Sequence, residues 1–294
     1  MFDIITIGSA TIDVFITAKA EITDIHKHLD ACYPIGSKIL IDNLAIKTGG
    51  GGTNTAVGFA RLGFKTAWLG KIGDDNNSDL ISHDLRKEHV TILTKPTNGP
   101  SGYSVILTKL KNDRTILTSK GNSDKLAPRD VPWMRLKTRW IYTSSMLGQS
   151  FSTLKRVIAS AKKHHIKYAF NPSLYMAKWG AKKLGPLIND CDILILNKEE
   201  AAALLGRKGT VKQMLKRLQT HAKIVVITDG PRGASATDGI LTHSIKALLV
   251  HVVETTGAGD AFASAFVAGI IRTQDISTAL KLGIVQSANV IRYV

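Results

Sequence analysis

Apolar runs of two kinds alternate along this chain. Short runs rich in Ile, Val and Leu fall at residues 4–8, 66–70, 140–143, 168–171, 193–197 and 223–228. Between them the apolar positions take helical spacing, as at residues 151–165 and 211–221. Short apolar strands separated by helices predict βαβ units and a parallel sheet covered on both faces. Ligands in such sheets bind beyond the carboxyl ends of the strands. Gly8, Asn171, Asn197, Asp229 and Gly230 all stand at predicted carboxyl ends, so the polar candidates converge on one edge.

Three segments break the alternation. Residues 11–18 alternate apolar and polar directly after the first strand, and residues 37–47 do the same further on. Residues 102–119 read as a hairpin turning at Lys111, Asn112 and Asp113. Together they predict a small antiparallel sheet built from discontinuous pieces, able to act as a lid that excludes water; ordinary edge strands are the alternative. With no internal repeat or linker, residues 1–294 read as a single domain.

Two glycine-rich segments carry the candidate chemistry. ETTGAGDAFASAFVAG, residues 254–269, sets Gly257 and Gly259 around Ala258, followed at once by Asp260 and an Ala/Phe-rich helical run. Small residues let backbone N–H groups approach an anion, and the helix start adds partial positive charge. Asp260 beside those donors can take a proton from an attacking hydroxyl; the bland alternative is an acid complementing the helix dipole. TGGGGTNTAVGFARLG, residues 48–63, holds four successive glycines, more than packing is expected to require. Thr53 is placed to cap the following helix, and Asn54 offers a donor and an acceptor near its start. No Gly-Lys-Ser/Thr follows, so this is not a P-loop.

Bulk composition narrows the class. A chain of 294 residues with 44% hydrophobic and 21% charged residues is ordinary for a soluble α/β protein. No apolar run reaches membrane-spanning length, and the amino terminus reads as a strand without a basic leader, which favours a cytoplasmic protein. Cys32 and Cys191 form no metal-ligand spacing and suit a reducing compartment. The net charge of +16 is concentrated: residues 131–189 hold eleven Lys and Arg and no Asp or Glu. A basic field draws in polyanions, including nucleic acid, but no interleaved aromatic stacking pattern accompanies it, so a solvated face is the favoured reading.

With these motifs in place, the chain resembles the ribokinase-like, or phosphofructokinase-B, family of carbohydrate and nucleoside kinases. GGGGTNTAVGFARLG is similar to that family's first signature and ETTGAGDAFASAFVAG to its second. NKEE at residues 197–200 resembles its Asn-x-x-Glu motif, TDGPRGA at 228–234 its nucleotide-binding turn, and GSATID at 8–13 its opening strand. The resemblance implies an α/β fold with a mainly parallel sheet, helices on both faces and a small β lid. It implies Mg²⁺-assisted transfer of the γ-phosphate of ATP to a hydroxyl of a sugar or nucleoside. Asp260 becomes the base, with Gly257, Ala258 and Gly259 as the anion hole. Asp13, Gly50, Gly51 and Asn54 would hold the acceptor. Asn197 and Glu200 would order Mg²⁺ through its waters. Thr228, Gly230 and Gly233 would line the nucleotide site, with Asn171 near the phosphates and Asn289 at the adenine. Some sugar-specific relatives carry Lys where Gly51 stands, and potassium dependence is not carried over, because relatives usually continue past the position of Val294. A sugar-phosphate kinase, or a non-catalytic sensor of nucleotide or sugar with a basic nucleic-acid-binding face, are the alternatives. The expected partner is a small-molecule acceptor, with a homodimer through the lid, whose edge can mediate one in such a family; Arg114 in the hairpin either reaches a substrate phosphate or is simply solvated.

Overall fold

The computed structural model describes residues 1–25, 28–110 and 113–292. In chain order the strands are β1 (Phe2–Ile7), β2 (Thr11–Ala18), β3 (Glu21–Ile25), β4 (His28–Cys32), β5 (Ile41–Gly49), β6 (Thr66–Leu69), β7 (Thr91–Ile92) and β8 (Gly102–Leu110). They continue as β9 (Asp113–Ser119), β10 (Thr138–Thr143), β11 (Lys167–Phe170), β12 (Cys191–Asn197), β13 (Ala222–Thr228), β14 (Ala234–Thr237) and β15 (Thr242–Ile245). The helices are α1 (Gly51–Arg61), α2 (Asn76–Lys87), α3 (Gly148–Lys163), α4 (Leu174–Ala177), α5 (Gly180–Ile188), α6 (Lys198–Leu205), α7 (Val211–Leu218), α8 (Ala258–Thr273) and α9 (Ile276–Val290).

The main sheet has the order β15-β14-β13-β12-β11-β10-β1-β6-β7. Pairing is parallel from β13 through β7 and antiparallel only at β14 and β15. Alternation along each strand feeds two cores. Ile5, Ile7, Ile141, Phe170, Leu194 and Ile227 pack on one face with α3, α5, α6 and α7. Ile4, Tyr142, Ala169, Ile193 and Val226 pack on the other with α1, α8 and α9. Because both faces are covered, the strands read as continuous apolar runs. The predicted carboxyl-edge residues lie where expected, Gly8 after β1, Asn171 after β11, Asn197 at the end of β12 and Asp229 after β13.

A second sheet of order β5-β2-β8-β9 rises from that edge. It is mixed rather than antiparallel, since β2 and β8 run parallel from Thr11 and Gly102. Both strands leave the main body side by side and travel outward, so parallel pairing is forced. The piece expected at residues 37–47 starts at Ile41, not at residue 37, and runs on to Gly49, straight into the glycine turn. Ile12 and Val14 seat the sheet on Ala56 of α1 and on Ile81 and Leu85 of α2. A separate hairpin, β3–β4, falls between β2 and β5. The predicted turn residues Lys111 and Asn112 lie outside the described residues, while β8 and β9 flank them as an antiparallel pair. Among the described residues no helix is long and apolar enough to cross a membrane.

Candidate active site

The first glycine motif opens α1. Gly50 is its N-cap, with φ of 105°, a conformation that L side chains rarely adopt. The run is also packed more tightly than its sequence implied. A Cβ on Gly50 would lie 2.5 Å from the Ser9 carbonyl oxygen, and one on Gly52 would lie 2.5 Å from the Gly8 carbonyl carbon. The glycines let the start of α1 rest directly on the β1–β2 turn. Thr53 does not cap the helix from outside. It lies within the first turn, where its hydroxyl donates to the carbonyls of Gly49 and Gly50 at 2.6 and 3.0 Å.

Helices α1 and α8 touch through another small residue. A Cβ on Gly58 would sit 2.4 Å from Ser264 Oγ, so the helices approach closely there. One turn earlier on each helix stand Asn54 and Asp260. Asn54 Nδ2 donates to Asp260 Oδ2 at 2.8 Å. Asp260 is the third residue of α8, whose N-cap Gly257 has φ of 82°. A Cβ on Gly259 would meet nothing within 4 Å, so no packing contact accounts for that glycine.

Asp13 completes the group. Only 9% exposed, it accepts the Thr11 hydroxyl at 2.9 Å. Gly49 is pressed against it, since a Cβ there would lie 2.0 Å from Asp13 Oδ2. Burial pushes the Asp260 carboxyl up, the Asn54 hydrogen bond opposes this, and the charge of Asp13 adds to the rise. A cleft of about 890 Å³ includes Asp13, Gly49, Asn54, Gly257, Asp260 and Asn289 in its lining.

A second cleft, of about 540 Å³, includes Asn197, Lys198, Thr228, Asp229, Gly230 and Arg232 in its lining. Asn197 caps α6 and exchanges two 2.8 Å hydrogen bonds with Glu200, a capping box. Burial pushes the Glu200 carboxyl up to about 7, and the charges of Glu199 and Asp260 reinforce it while the Asn197 N–H opposes. The Arg232 hydrogen bond holds the Asp229 carboxyl low, with Lys198 adding to it.

Several expected residues are placed differently. Gly233 is absent from the lining of the second cleft; a Cβ on it would lie 1.9 Å from the Ile245 carbonyl oxygen, so it serves the β14–β15 pairing. Asn171 is outside both linings, its side chain accepting from Tyr142 OH at 3.2 Å and donating to the Ile195 carbonyl at 2.8 Å. The Ala258 N–H is turned into the Thr255 carbonyl at 3.2 Å, which weakens its case as an anion donor. Asn289 lines the first cleft, whereas Thr228 and Gly230 line the second. Gly50 and Gly51 stand behind Gly49 and outside that lining, although a Cβ on Gly51 would come within 3.7 Å of Asp260 Oδ1. Glu200 is likewise outside the lining of the second cleft.

Residues 1–294 match the pfkB family carbohydrate kinases along their whole length. The chain belongs to the pfkB family. Its fold is ribokinase-like, and the family's members are phosphotransferases acting on sugars or nucleosides, with ATP implied as the phosphate donor. An ATP-dependent 6-phosphofructokinase of Thermoanaerobacterium thermosaccharolyticum is 26% identical over 302 residues, covering 100% of this chain and 89% of that protein. A ribokinase of Staphylococcus aureus is 27% identical over 293 residues, covering 95% and 90%. An adenosine kinase structure from Sinorhizobium meliloti superposes with a TM-score of 0.85 at 22% identity, covering 100% of this chain and 94% of that one.

Within this pfkB-family cleft, several lining residues had not been singled out from sequence. Asp84 of α2 accepts the Thr48 hydroxyl at 2.8 Å, and Arg61 of α1 grips Glu88 at 2.8 and 2.5 Å. Both contacts join segments distant in sequence, and no local pattern announces them. Ser264 was findable: Asn54 and Gly58, like Asp260 and Ser264, are four residues apart and share a helix face.

Proposed function

We propose that this pfkB-family protein transfers the γ-phosphate of ATP to a hydroxyl of a sugar or nucleoside, with Asp260 as the base. The observation that carries the reading is the placement of Asp260. Its carboxylate is fixed by Asn54 at the start of α8, within the large cleft that Asp13 and Gly49 also line. The acceptor hydroxyl gives its proton to Asp260 while its oxygen bonds the γ-phosphorus. The bond from that phosphorus to the β–γ bridging oxygen breaks and ADP leaves. Burial raises the proton affinity of Asp260 toward that of a working base. Gly257 and Gly259 bring the start of α8 to the transferring oxygens, where helix N–H groups lack intrahelical partners. Asp13 holds acceptor hydroxyls, and Thr228 and Gly230 line the nucleotide cleft.

The acceptor is uncharged on this reading. The cleft is lined by the carboxylates of Asp13, Asp84, Glu88, Glu254 and Asp260 against Lys47, Arg61 and Lys87. Arg61 is already held by Glu88. This excess of negative charge favours a neutral polyol over a sugar phosphate. The β5-β2-β8-β9 sheet serves as the lid. Exposed Leu44, Ile46, Ile116 and Leu117 on its edge strands suit a homodimer through that sheet, in a cytoplasmic enzyme.

Magnesium fits the site only with help. Among the described residues no cluster of acids, His or Cys could hold a metal by itself. Glu200 gives one oxygen to Asn197 and keeps a second, which suits a nucleotide-bound Mg²⁺ held through water. Mg²⁺ would neutralise phosphate charge. Because only ionised Glu200 serves that role, activity falls as pH drops through about 7. The cation competes with the proton, so the midpoint moves to lower pH as Mg²⁺ concentration rises. Rate–pH profiles at several Mg²⁺ concentrations check this, and a fixed midpoint removes Glu200 from the metal's surroundings. The kinase reading itself is tested by coupled ADP release over ribose, fructose, adenosine, cytidine, inosine and their monophosphates. Turnover on none of them counts against it.

A further inference from the structure

Arg114 belongs to β9 of the small sheet, yet its side chain reaches the main body. Its guanidinium Nη1 donates to the Thr255 hydroxyl and stands 3.9 Å from Glu254 Oε1. That same Glu254 oxygen accepts the N–H groups of Thr255 and Thr256 at 2.7 and 2.9 Å and the Thr256 hydroxyl at 2.8 Å. The Thr255 carbonyl in turn accepts the N–H of Ala258, the first residue of α8. Upstream, the Val253 N–H donates to the Ile291 carbonyl at 2.8 Å. The turn that delivers Gly257 and the start of α8 is therefore folded around one carboxylate oxygen, and a cation supplied by the other sheet lies against it.

We infer that Arg114 is a positioning residue that makes the arrangement of the α8 start depend on the small sheet being closed over the cleft. What that turn binds rests on the kinase reading; the clasp itself does not. When the sheet is closed, Arg114 neutralises Glu254 and fixes Thr255, so Gly257 and Asp260 are held in register. When the sheet lifts away, Glu254 keeps its N–H donors but loses its cation, and the turn loosens. The start of α8 is then held in place only while the small sheet is closed over the cleft, which limits phosphoryl transfer to water.

The test uses the full chain, with Arg114→Ala and Arg114→Lys. Amide hydrogen exchange is read on the segment 253–262 and on α3 without acceptor. Acceptor-dependent ADP release is read in parallel. Loss of the clasp lets 253–262 open locally, so Arg114→Ala exchanges there at least about tenfold faster while α3 is unchanged. The same variant lowers kcat by about tenfold or more with KM for ATP within about twofold, and Arg114→Lys recovers part of the loss. Unchanged exchange in 253–262 overturns the proposal, as does equal acceleration in α3, which would mark general destabilisation. Faster exchange with unaltered kcat overturns the positioning role. If the parent chain turns over no acceptor, the kinase reading fails separately, and the exchange result alone decides for or against the clasp.

Discussion

Asp260→Asn lowers kcat by roughly 10²–10⁴-fold and leaves nucleotide affinity nearly intact. The substitution is nearly isosteric, so the geometry survives. Its carbonyl oxygen still accepts the hydrogen bond that Asn54 now gives to Oδ2 at 2.8 Å. What disappears is the ability to take a proton from the acceptor hydroxyl as its oxygen bonds phosphorus. The nucleotide contacts proposed at Thr228 and Gly230 lie in the other cleft and are untouched. Steady-state kinetics with saturating acceptor, beside titration with a nonhydrolysable ATP analogue, separate the two effects. Turnover close to that of the parent would remove Asp260 from the role of base.

Gly52→Ala destabilises the protein by about 3 kcal/mol or more, the upper range for overpacking, because backbone meets backbone. The added methyl would stand 2.5 Å from the carbonyl carbon and 2.7 Å from the Cα of Gly8. No flexible side-chain end is available to move aside; either α1 lifts off the β1–β2 turn or the first strand shifts. Gly259→Ala provides the contrast. Nothing lies within 4 Å of the new methyl, and replacing a helical glycine stabilises by about 0.4–1 kcal/mol. On the proposed mechanism Gly259→Ala keeps or gains stability while losing activity, since the methyl would enter the space proposed for the transferring oxygens. Urea unfolding with the slope held constant, run beside an activity assay, distinguishes the pair. A Gly52→Ala protein as stable as the parent would mean that α1 does not need its close seat on β1.

The two variants mark how far the chain could be read unaided. The alternation of apolar strands and helices was legible because the main sheet is buried on both faces, and that leaves a periodic trace. The helix start at Gly-Ala-Gly-Asp was legible because small residues and an acid suit a helix N-terminus, and α8 begins there. The glycines at 49–52 were read as ligand-facing, whereas Gly50 and Gly52 are held by Ser9 and Gly8, contacts made by residues some forty positions away. The mixed pairing of the small sheet was illegible for a related reason. Whether β2 and β8 run the same way depends on where both leave the body, which alternation does not record. Gly233 was expected at the nucleotide through the family resemblance and Asn171 near the phosphates from its place after a strand, and each is instead engaged by a neighbouring strand.

The close crossing of Gly58 and Ser264 divides labour within the molecule. Asp260, the proposed proton acceptor, and its partner Asn54 ride on two helices that approach closely there, while Asp13 and Phe15 ride on β2 of the small sheet. On the proposed roles, changes in β2 and β5 alter which alcohol is admitted while the Asn54–Asp260 pair stays in place. Exchanging those strands between members of the fold would transplant preference without rebuilding chemistry.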